Sequence, residues 1–171
     1  RLRPVPDLHT RYAAALAQKS FTPDPAQARA IQTLDRVRRE LMAQAQPISL
    51  LSTLKHRLLR EAIRPVRGAW LWGGVGRGKT FVMDLFCESL PLRERLRFHF
   101  HRLMYRVHGR LKSLQNETDP LELVAAEFAA QARVICFDEF FVTDIADAMI
   151  LGNLLDALFR RGVTLVATSN L

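Results

Sequence analysis

The sequence is poor in cysteine and has no long apolar run. Its 171 residues include two cysteines, Cys87 and Cys136, which are too few for the disulfide framework of a small secreted protein. No apolar stretch reaches the roughly 20 residues that a membrane-spanning helix needs, and Arg1 to Thr10 lack the apolar core of a secretory signal. These features exclude a disulfide-stapled module, and we expect a cytoplasmic protein with no transmembrane segment.

Acidic residues are fewer than basic ones. The 25 Lys and Arg residues against 17 Asp and Glu residues give a formal net charge of +8 at pH 7. This excess predicts an anionic partner, which could be a nucleotide, a nucleic acid, an acidic protein or a membrane surface. Hydrophobic residues make up 49% and charged residues 25%, which is ordinary for a globular protein and excludes wholesale disorder.

The pattern of apolar residues changes at about residue 66. Apolar residues recur at helical spacing from Ile31 to Leu41, after the helix start Asp24-Pro25. In the second part, short apolar strands alternate with helices, which is typical of a parallel sheet with helices on both faces. We therefore predict a helical N-terminal section over residues 1–66 and an α/β core over residues 67–171.

A basic cluster, Lys55–Arg67, begins on a short helix predicted around Leu51–Leu59. Such a cluster can bind nucleic acid, but this one lacks the interleaved aromatic residues on which bases stack. A solvated helix face is the favoured interpretation, so nucleic acid is the less favoured partner.

A complete phosphate-binding motif, G-x-x-x-x-G-K-[ST], lies between a predicted strand and a predicted helix. It consists of Gly73, Gly74, Val75, Gly76, Arg77, Gly78, Lys79 and Thr80. The glycines allow backbone N–H groups to surround phosphate oxygens, and the following helix N-terminus favours anions. Lys79 can bind the β and γ phosphates, and Thr80 can offer its hydroxyl to Mg²⁺. The motif predicts a nucleotide site.

An apolar strand, Val134–Phe137, ends in two carboxylates, Asp138 and Glu139. In a phosphate-loop protein the aspartate at this strand end holds Mg²⁺, and a following glutamate can orient or deprotonate the attacking water. We therefore predict Asp138 as a Mg²⁺ residue and Glu139 as the catalytic base of nucleotide hydrolysis.

The last predicted strand, Val163–Ala167, ends in the polar residues Thr168, Ser169 and Asn170. In ATPases whose acidic strand carries the second glutamate, a strand lies between the phosphate-loop strand and the acidic strand, and a polar residue at its end faces the γ-phosphate and the water. Asn170 fits that role, with Thr168 as the second choice. The predicted sheet order is therefore 1-4-3-2.

Two histidines invite a metal-site interpretation. His99 and His101 alternate along the predicted strand that begins with Leu96–Phe100, so both would face the same side of it. No third ligand stands at metal spacing, so a polar role beside the nucleotide site or at a partner surface is favoured over zinc.

Several segments together resemble the ZapE family of AAA+ ATPases, which includes mitochondrial relatives. They are PDPAQ at 23–27, WLWGGVGRGKT at 70–80, FHFHR at 98–102, CFDEF at 136–140, VTDIADAM at 142–149 and ATSN at 167–170. The resemblance implies a P-loop NTPase core of AAA+ type that hydrolyses ATP with Mg²⁺. It also implies action on the FtsZ ring in bacterial cell division, homo-oligomers through AAA+ interfaces, and a position of Gln27 near the adenine.

The chain departs from the family in one respect, because family members continue past the Thr-Ser-Asn strand. A fifth strand, the small lid domain, its sensing arginine and the arginine finger would lie beyond Leu171. We therefore expect the N-terminal part of a longer protein, with a sheet of order 1-4-3-2 and strand 5 missing.

Three hypotheses of function remain open at this stage. The first is an ATPase that remodels a protein polymer, the division ring above all. The second is a DNA-linked AAA+ protein such as a helicase loader, which the positive charge permits. The third is a nucleotide-dependent binding module without hydrolysis, which Glu139 disfavours.

Overall fold

The computed structural model describes residues 6–19, 24–45 and 64–170. Six helices and four strands lie within these residues. The helices are α1 (Leu8–Lys19), α2 (Pro25–Ala45), α3 (Lys79–Ser89), α4 (Phe100–Ser113), α5 (Pro120–Gln131) and α6 (Ile145–Arg160). The strands are β1 (Ala69–Gly73), β2 (Arg95–His99), β3 (Val134–Asp138) and β4 (Thr164–Asn170). The helix predicted around Leu51–Leu59 and most of the basic cluster lie outside the described residues.

The four strands form one parallel sheet in the order β1-β4-β3-β2. The predicted α/β class and strand order are therefore confirmed. β3 is buried at every position, as expected for an inner strand of a sheet covered on both faces. The carboxyl ends of all four strands lie at the same edge, which is where ligands bind in open α/β sheets.

Helices α1, α2 and α3 cover one face of the sheet. Their apolar side chains share a buried cluster with strand residues that point to this face, Val134, Cys136 and Val166. α2 supplies apolar residues at helical spacing, among them Ile31 and Leu34, which are fully buried. The two cysteines are free, with Cys136 buried in this cluster and Cys87 packed against it.

Helices α4, α5 and α6 cover the opposite face, where the alternate strand residues Ile135, Phe137 and Ala167 point. At the start of α6 the Asp144 carboxylate accepts a hydrogen bond from the Asp147 N–H and so serves as the N-cap. Among the described residues, no helix combines the length and the apolar content that crossing a bilayer would require.

The boundary between β2 and α4 differs from the sequence prediction. The strand ends at His99 and the helix begins at once with Phe100, so His101 lies in the first turn of α4. The prediction that His99 and His101 alternate along one strand is therefore wrong. Their rings stack instead, with centroids 5.9 Å apart. Phe100, the first residue of α4, is buried and packs near Phe137.

Candidate active site

The phosphate motif forms the connection between β1 and α3. β1 ends at Gly73, and Gly78 is the N-cap of α3 in a left-handed conformation with φ of 74°. Residues with a side chain rarely adopt this φ, which explains the glycine. The first backbone N–H groups of α3 therefore begin directly after the loop and are available to an anion.

The ammonium group of Lys79 lies within the loop. Its Nζ donates hydrogen bonds to the carbonyl oxygens of Gly73 at 2.9 Å and Gly74 at 2.7 Å. These carbonyls hold the long side chain folded back over the loop rather than extended into solvent. Thr80, the next residue of α3, is exposed. The charge and the hydroxyl that the motif requires thus stand side by side at the helix start.

Gln27 reaches the phosphate loop from α2. Its Nε2 donates to the Arg77 carbonyl at 3.2 Å, and its Oε1 accepts a hydrogen bond from the Tyr12 hydroxyl at 3.4 Å. At the start of α2 the Asp24 carboxylate accepts the Ala26 N–H at 2.8 Å. Gln27, three residues after Asp24, thus connects the helix to the phosphate loop.

A cavity of about 370 Å³ lies beside this contact, between α2, β1 and the loop. Gln27, Thr33, Trp72 and Lys79 are among its lining residues. The cavity is mostly apolar in character with a few polar groups, as nucleobase-sized pockets are. The placement of Gln27 near the adenine stays a prediction. In that prediction, this cavity is the space that the adenine would occupy.

The acidic strand end combines a buried and an exposed carboxylate. Asp138 is 3% exposed; its Oδ2 accepts a hydrogen bond from Arg97 Nε at 2.7 Å, whereas its Oδ1 is buried without a hydrogen-bond partner among the described residues. Glu139 is exposed and has a left-handed φ of 57°. Such a φ is uncommon for a residue with a side chain and is often found at functional sites.

Thr168 of β4 holds the backbone that follows β3. Its Oγ1 accepts the Glu139 N–H at 3.2 Å, and its carbonyl accepts the Phe140 N–H at 2.7 Å. Thr168 is buried, whereas Asn170 at the end of β4 is exposed. The two candidates for the polar residue that faces the γ-phosphate thus have different surroundings. Thr168 supports Glu139, whereas Asn170 pairs in register with Gly73 at the start of the loop.

Most of the predicted site residues line a second cavity of about 340 Å³, whereas Gln27, Gly73 and Gly74 line the first cavity and Asp138 is buried at the strand end without lining either. The second cavity lies at the carboxyl edge of the sheet, between the loop and the ends of β3 and β4. Its lining residues are Val75, Gly76, Arg77, Gly78, Lys79, Thr80, Glu139, Thr168 and Asn170. Elements far apart in the chain therefore present a cation, a carboxylate and an amide to one space.

The residues present fit a Mg²⁺ ion. Within the described residues no cluster of three or more His, Cys, Asp or Glu side chains forms a protein cage for a metal. Mg²⁺ is usually bound by one or two protein ligands together with phosphates and waters, so such a cage is not required. The unpartnered Oδ1 of Asp138 is a hard oxygen of the kind this ion prefers.

Arg97 is a residue near the site that sequence reasoning missed. Its guanidinium bridges Asp138 and Asp84, a residue of α3. Partial burial acts to lower the pKa of Arg97, but the hydrogen bonds to Asp138 and Asp84 outweigh it, so the pKa is raised and the charge is retained. No sequence motif marks this bridge, because its three members come from three separate elements.

Comparisons with known proteins find a matching family model and several relatives by sequence. The family model described as AFG1-like ATPase matches residues 7–171. "Cell division protein ZapE" of Escherichia coli K12 is 50% identical over 169 residues, which cover 95% of this chain and 45% of that protein. "Lactation elevated protein 1 homolog B" of Danio rerio is 44% identical over 117 residues, which cover 62% of this chain and 23% of that protein.

Two further matches are more distant. An uncharacterised protein of Schizosaccharomyces pombe is 36% identical over 177 aligned positions, which cover 86% of this chain and 39% of that protein. The solved structure titled "Crystal Structure of the DnaI" is 18% identical with a TM-score of 0.41, over 72% of this chain and 65% of that chain. The chain spans less than half the length of the Escherichia coli protein, 45% of it.

Proposed function

The chain belongs to the AFG1-like ATPase family, and on that premise we propose that it binds ATP with Mg²⁺ and hydrolyses it through in-line attack of water on the γ-phosphate. The observation that carries the proposal is the 340 Å³ cavity around which the phosphate loop, Glu139 and Asn170 meet. A loop that only turned the chain would not require a carboxylate and an amide from two other strands beside it.

Binding depends on the loop and the start of α3. Backbone N–H groups from Gly74 to Thr80 surround the phosphates, and the helix N-terminus favours their negative charge. Lys79 exchanges its two carbonyl contacts for the β and γ phosphates, which form stronger, charge-assisted hydrogen bonds. Gln27 and the 370 Å³ cavity beside it receive the base, with Gln27 next to the adenine.

Thr80 and Asp138 are the residues that would hold Mg²⁺, through the Thr80 hydroxyl and the unpartnered Oδ1 of Asp138. When bound, the ion supplies positive charge that offsets the charge of the phosphate oxygens. The two residues belong to α3 and β3, and Arg97 joins these elements by binding Asp84 of α3 and Asp138 of β3.

Glu139 orients the attacking water and accepts its proton. The exposed carboxylate extends from a backbone that Thr168 holds through two hydrogen bonds, so its direction is set by the sheet. Asn170, one strand away, hydrogen-bonds the γ-phosphate and the water from the end of β4. Positioned donors and a base near the reacting atoms are what water attack on phosphorus requires.

The test of nucleotide binding is Lys79→Ala. We expect ATP affinity, measured by calorimetry with Mg²⁺, to fall about 10- to 100-fold, because a charge-assisted hydrogen bond in a partly desolvated site is lost. The matched control is Lys112→Ala, which removes the same charge from the exposed end of α4. Unchanged affinity in the Lys79 variant would contradict the site assignment.

For the cellular role, the 50% identical relative of Escherichia coli is named a cell division protein, and the resemblance of the sequence motifs adds the FtsZ ring as the substrate. We accordingly propose FtsZ polymer as the protein partner, the cytoplasm at the division site as the location, and homo-oligomers through AAA+ interfaces as the working assembly. The positive charge of the chain suits an acidic protein surface.

The partner proposal is tested by the stimulation of ATP turnover. FtsZ polymer, unassembled FtsZ and DNA are added separately to the protein. We expect FtsZ polymer to raise turnover more than the other two. Stimulation by DNA alone would instead support a DNA-linked ATPase, the alternative that the net charge of +8 permits.

A further inference from the structure

Arg97 connects the two elements that carry the proposed Mg²⁺ residues. It lies on β2, and its Nε donates to Asp138 Oδ2 at 2.7 Å while its Nη1 donates to Asp84 Oδ1. The Asp138 side chain is 5% exposed, that of Arg97 32% and that of Asp84 46%. The bridge therefore runs from the buried strand end outward to the partly exposed face of α3.

Asp84 ties this bridge to the phosphate-loop helix. It stands four residues after Thr80 in α3, and residues at that spacing lie on the same face of a helix, one turn apart. A guanidinium is planar and presents its donors in a fixed fork, so it sets the separation and angle of the two carboxylates that it joins. The position of the Thr80 turn relative to Asp138 is thereby constrained.

The bridge also distinguishes the two oxygens of Asp138. Oδ2 is taken by Arg97, whereas Oδ1 is buried and without a partner among the described residues. A buried carboxylate oxygen without a partner costs free energy, and a bound cation would remove that cost. Because Arg97 fixes the rotation of the carboxylate about its side-chain bond, Oδ1 stays the oxygen that is available.

We propose that Arg97 is a positioning residue for the Mg²⁺ site: by binding Asp138 and Asp84 together, it holds Asp138 Oδ1 and the α3 turn of Thr80 in the arrangement that Mg²⁺ requires. The inference rests on the proposed function, since it concerns the ion that accompanies ATP. Arg97 acts through Asp138 and Asp84. It is not among the residues that line either cavity.

A merely structural ion pair would behave differently. If Arg97 only stabilised the contact between β2 and α3, its loss would lower the melting temperature and weaken nucleotide binding equally with and without Mg²⁺. If Arg97 positions the metal site, its loss acts on the Mg²⁺-dependent part of binding. The dependence on Mg²⁺ concentration thus separates the two roles without any measurement of turnover.

The experiment titrates Mg²⁺ into protein and ADP that carries a fluorescent N-methylanthraniloyl group, with parallel titrations in EDTA. Arg97→Met removes the charge and keeps much of the side-chain volume, Arg97→Lys keeps the charge without the fork, and Asp84→Asn weakens the bridge at α3 while leaving Asp138 in place. The control, Arg93→Met, removes the same charge from the exposed turn before β2, where the Arg93 carbonyl accepts the Arg95 N–H.

We expect Arg97→Met to raise the Mg²⁺ concentration that gives half of the Mg²⁺-dependent increase in nucleotide binding about 10-fold or more. Such a shift is typical for the loss of a residue that supports a metal ligand. Arg97→Lys and Asp84→Asn should give smaller shifts in the same direction. Arg93→Met should match the unchanged protein, and affinity in EDTA should be alike for all five proteins.

Three results would overturn the inference: an unchanged Mg²⁺ midpoint in a folded Arg97→Met protein, an equal loss of affinity with and without Mg²⁺, or the same shift in Arg93→Met. If Arg97→Met does not fold, Arg97→Lys and Asp84→Asn test the inference in its place. Unchanged Mg²⁺ midpoints in both variants would then reject the positioning role of Arg97. Failure of the proposed function looks different, because the unchanged protein would then bind no nucleotide even at high Mg²⁺.

Discussion

Glu139 combines an uncommon backbone conformation with an exposed carboxylate at the end of β3. Its φ of 57° is held by hydrogen bonds from its own N–H and from that of Phe140 to Thr168. A non-glycine residue in the left-handed region costs on the order of 1–3 kcal/mol and persists where its surroundings enforce it. Here the enforcing residue belongs to β4, so the direction of the carboxylate depends on how two strands pair.

The role of Glu139 is tested by Glu139→Gln. The amide keeps the size and the backbone preference of glutamate but cannot accept the proton of water, so we expect steady-state ATP turnover to fall about 10²- to 10⁴-fold. ATP affinity by calorimetry should stay the same, because Lys79, Thr80 and Asp138 are untouched. Glu117→Gln, at an exposed turn residue after α4, is the matched control. Normal hydrolysis by Glu139→Gln would show that another group activates the water.

Asp138 should respond in a different measurement. Asp138→Asn removes the negative charge from the buried oxygen that we assign to Mg²⁺, so the gain in nucleotide affinity on adding Mg²⁺ should shrink about 10-fold or more. Affinity in EDTA should change little. An Asp138→Asn protein with an undiminished response to Mg²⁺ would place the metal elsewhere.

At the scale of elements, the backbone just before β1 passes very close to β4. This contact fixes the position of β1, the strand that leads into the phosphate loop. A Cβ at Gly68 would lie 1.7 Å from the Leu165 carbonyl oxygen, which belongs to the backbone and cannot move aside. β1 then pairs with β4 along its whole length, from Ala69 opposite Val166 to Gly73 opposite Asn170. The register that brings Asn170 beside the phosphate loop thus begins at a position where only glycine fits.

Gly68→Ala should lower the free energy of unfolding by about 1–3 kcal/mol or more, because the strands must separate to admit the methyl group. The control is Gly152→Ala in the middle of α6, where a Cβ meets nothing within 4 Å. Alanine there should stabilise the protein by about 0.5–1 kcal/mol through better helix propensity. Urea denaturation followed by circular dichroism measures both. Equal stabilities for the two variants would mean that β1 and β4 adjust to each other freely.

β1 is an outer strand of the four that the structure describes, and one of its faces is open. Trp70 and Trp72 point to that face and are 61% and 66% exposed, although Trp70 Nε1 donates to Ser169 Oγ at 2.9 Å. The opposite face of the same strand carries Ala69 and Leu71, which pack against the core shared with α2 and α3. The two faces of β1 therefore differ, because one is covered by helices and the other is exposed.

At the scale of the whole molecule, the helices before residue 46 and the sheet share one hydrophobic core. Tyr12 of α1 and Leu34 of α2 lie in the same buried cluster as Phe86 of α3 and Val166 of β4. Tyr12 and Gln27 also connect these helices to the loop through hydrogen bonds. The division into residues 1–66 and 67–171 stays a prediction, and the shared core makes it testable by deletion.

A chain that starts at residue 67 should not fold cooperatively. Each large apolar side chain that α1 and α2 bury contributes about 1.5–3 kcal/mol, and several of them together approach the net stability of about 5–15 kcal/mol that a domain has. Thermal melting by circular dichroism and binding of a hydrophobic dye to the exposed sheet face test this. The control is Gln32→Ala, at an exposed position of α2, which should melt like the unchanged protein. A cooperative transition in the short chain would support an independent core.

Some features follow from the sequence alone because they depend on residues close together in the chain. The phosphate loop and the two carboxylates at the end of β3 are of this kind. The strand order is not local; it was predicted from the class of ATPase that these motifs indicate, and the structure has that order. Glycine conformations, helix starts and apolar periodicities are local properties, so their patterns can be read before any contact is known.

Tertiary structure alone decided the contacts between distant positions. Arg97 meets Asp138 across 41 residues of sequence, and Gln27 meets Arg77 across 50, with no spacing rule that links them. His101 lies in the first turn of α4, whereas the alternation of His99 and His101 predicts a continued strand. Side-chain partners depend on which faces the folded elements present to each other, and the chain order of residues does not contain that information.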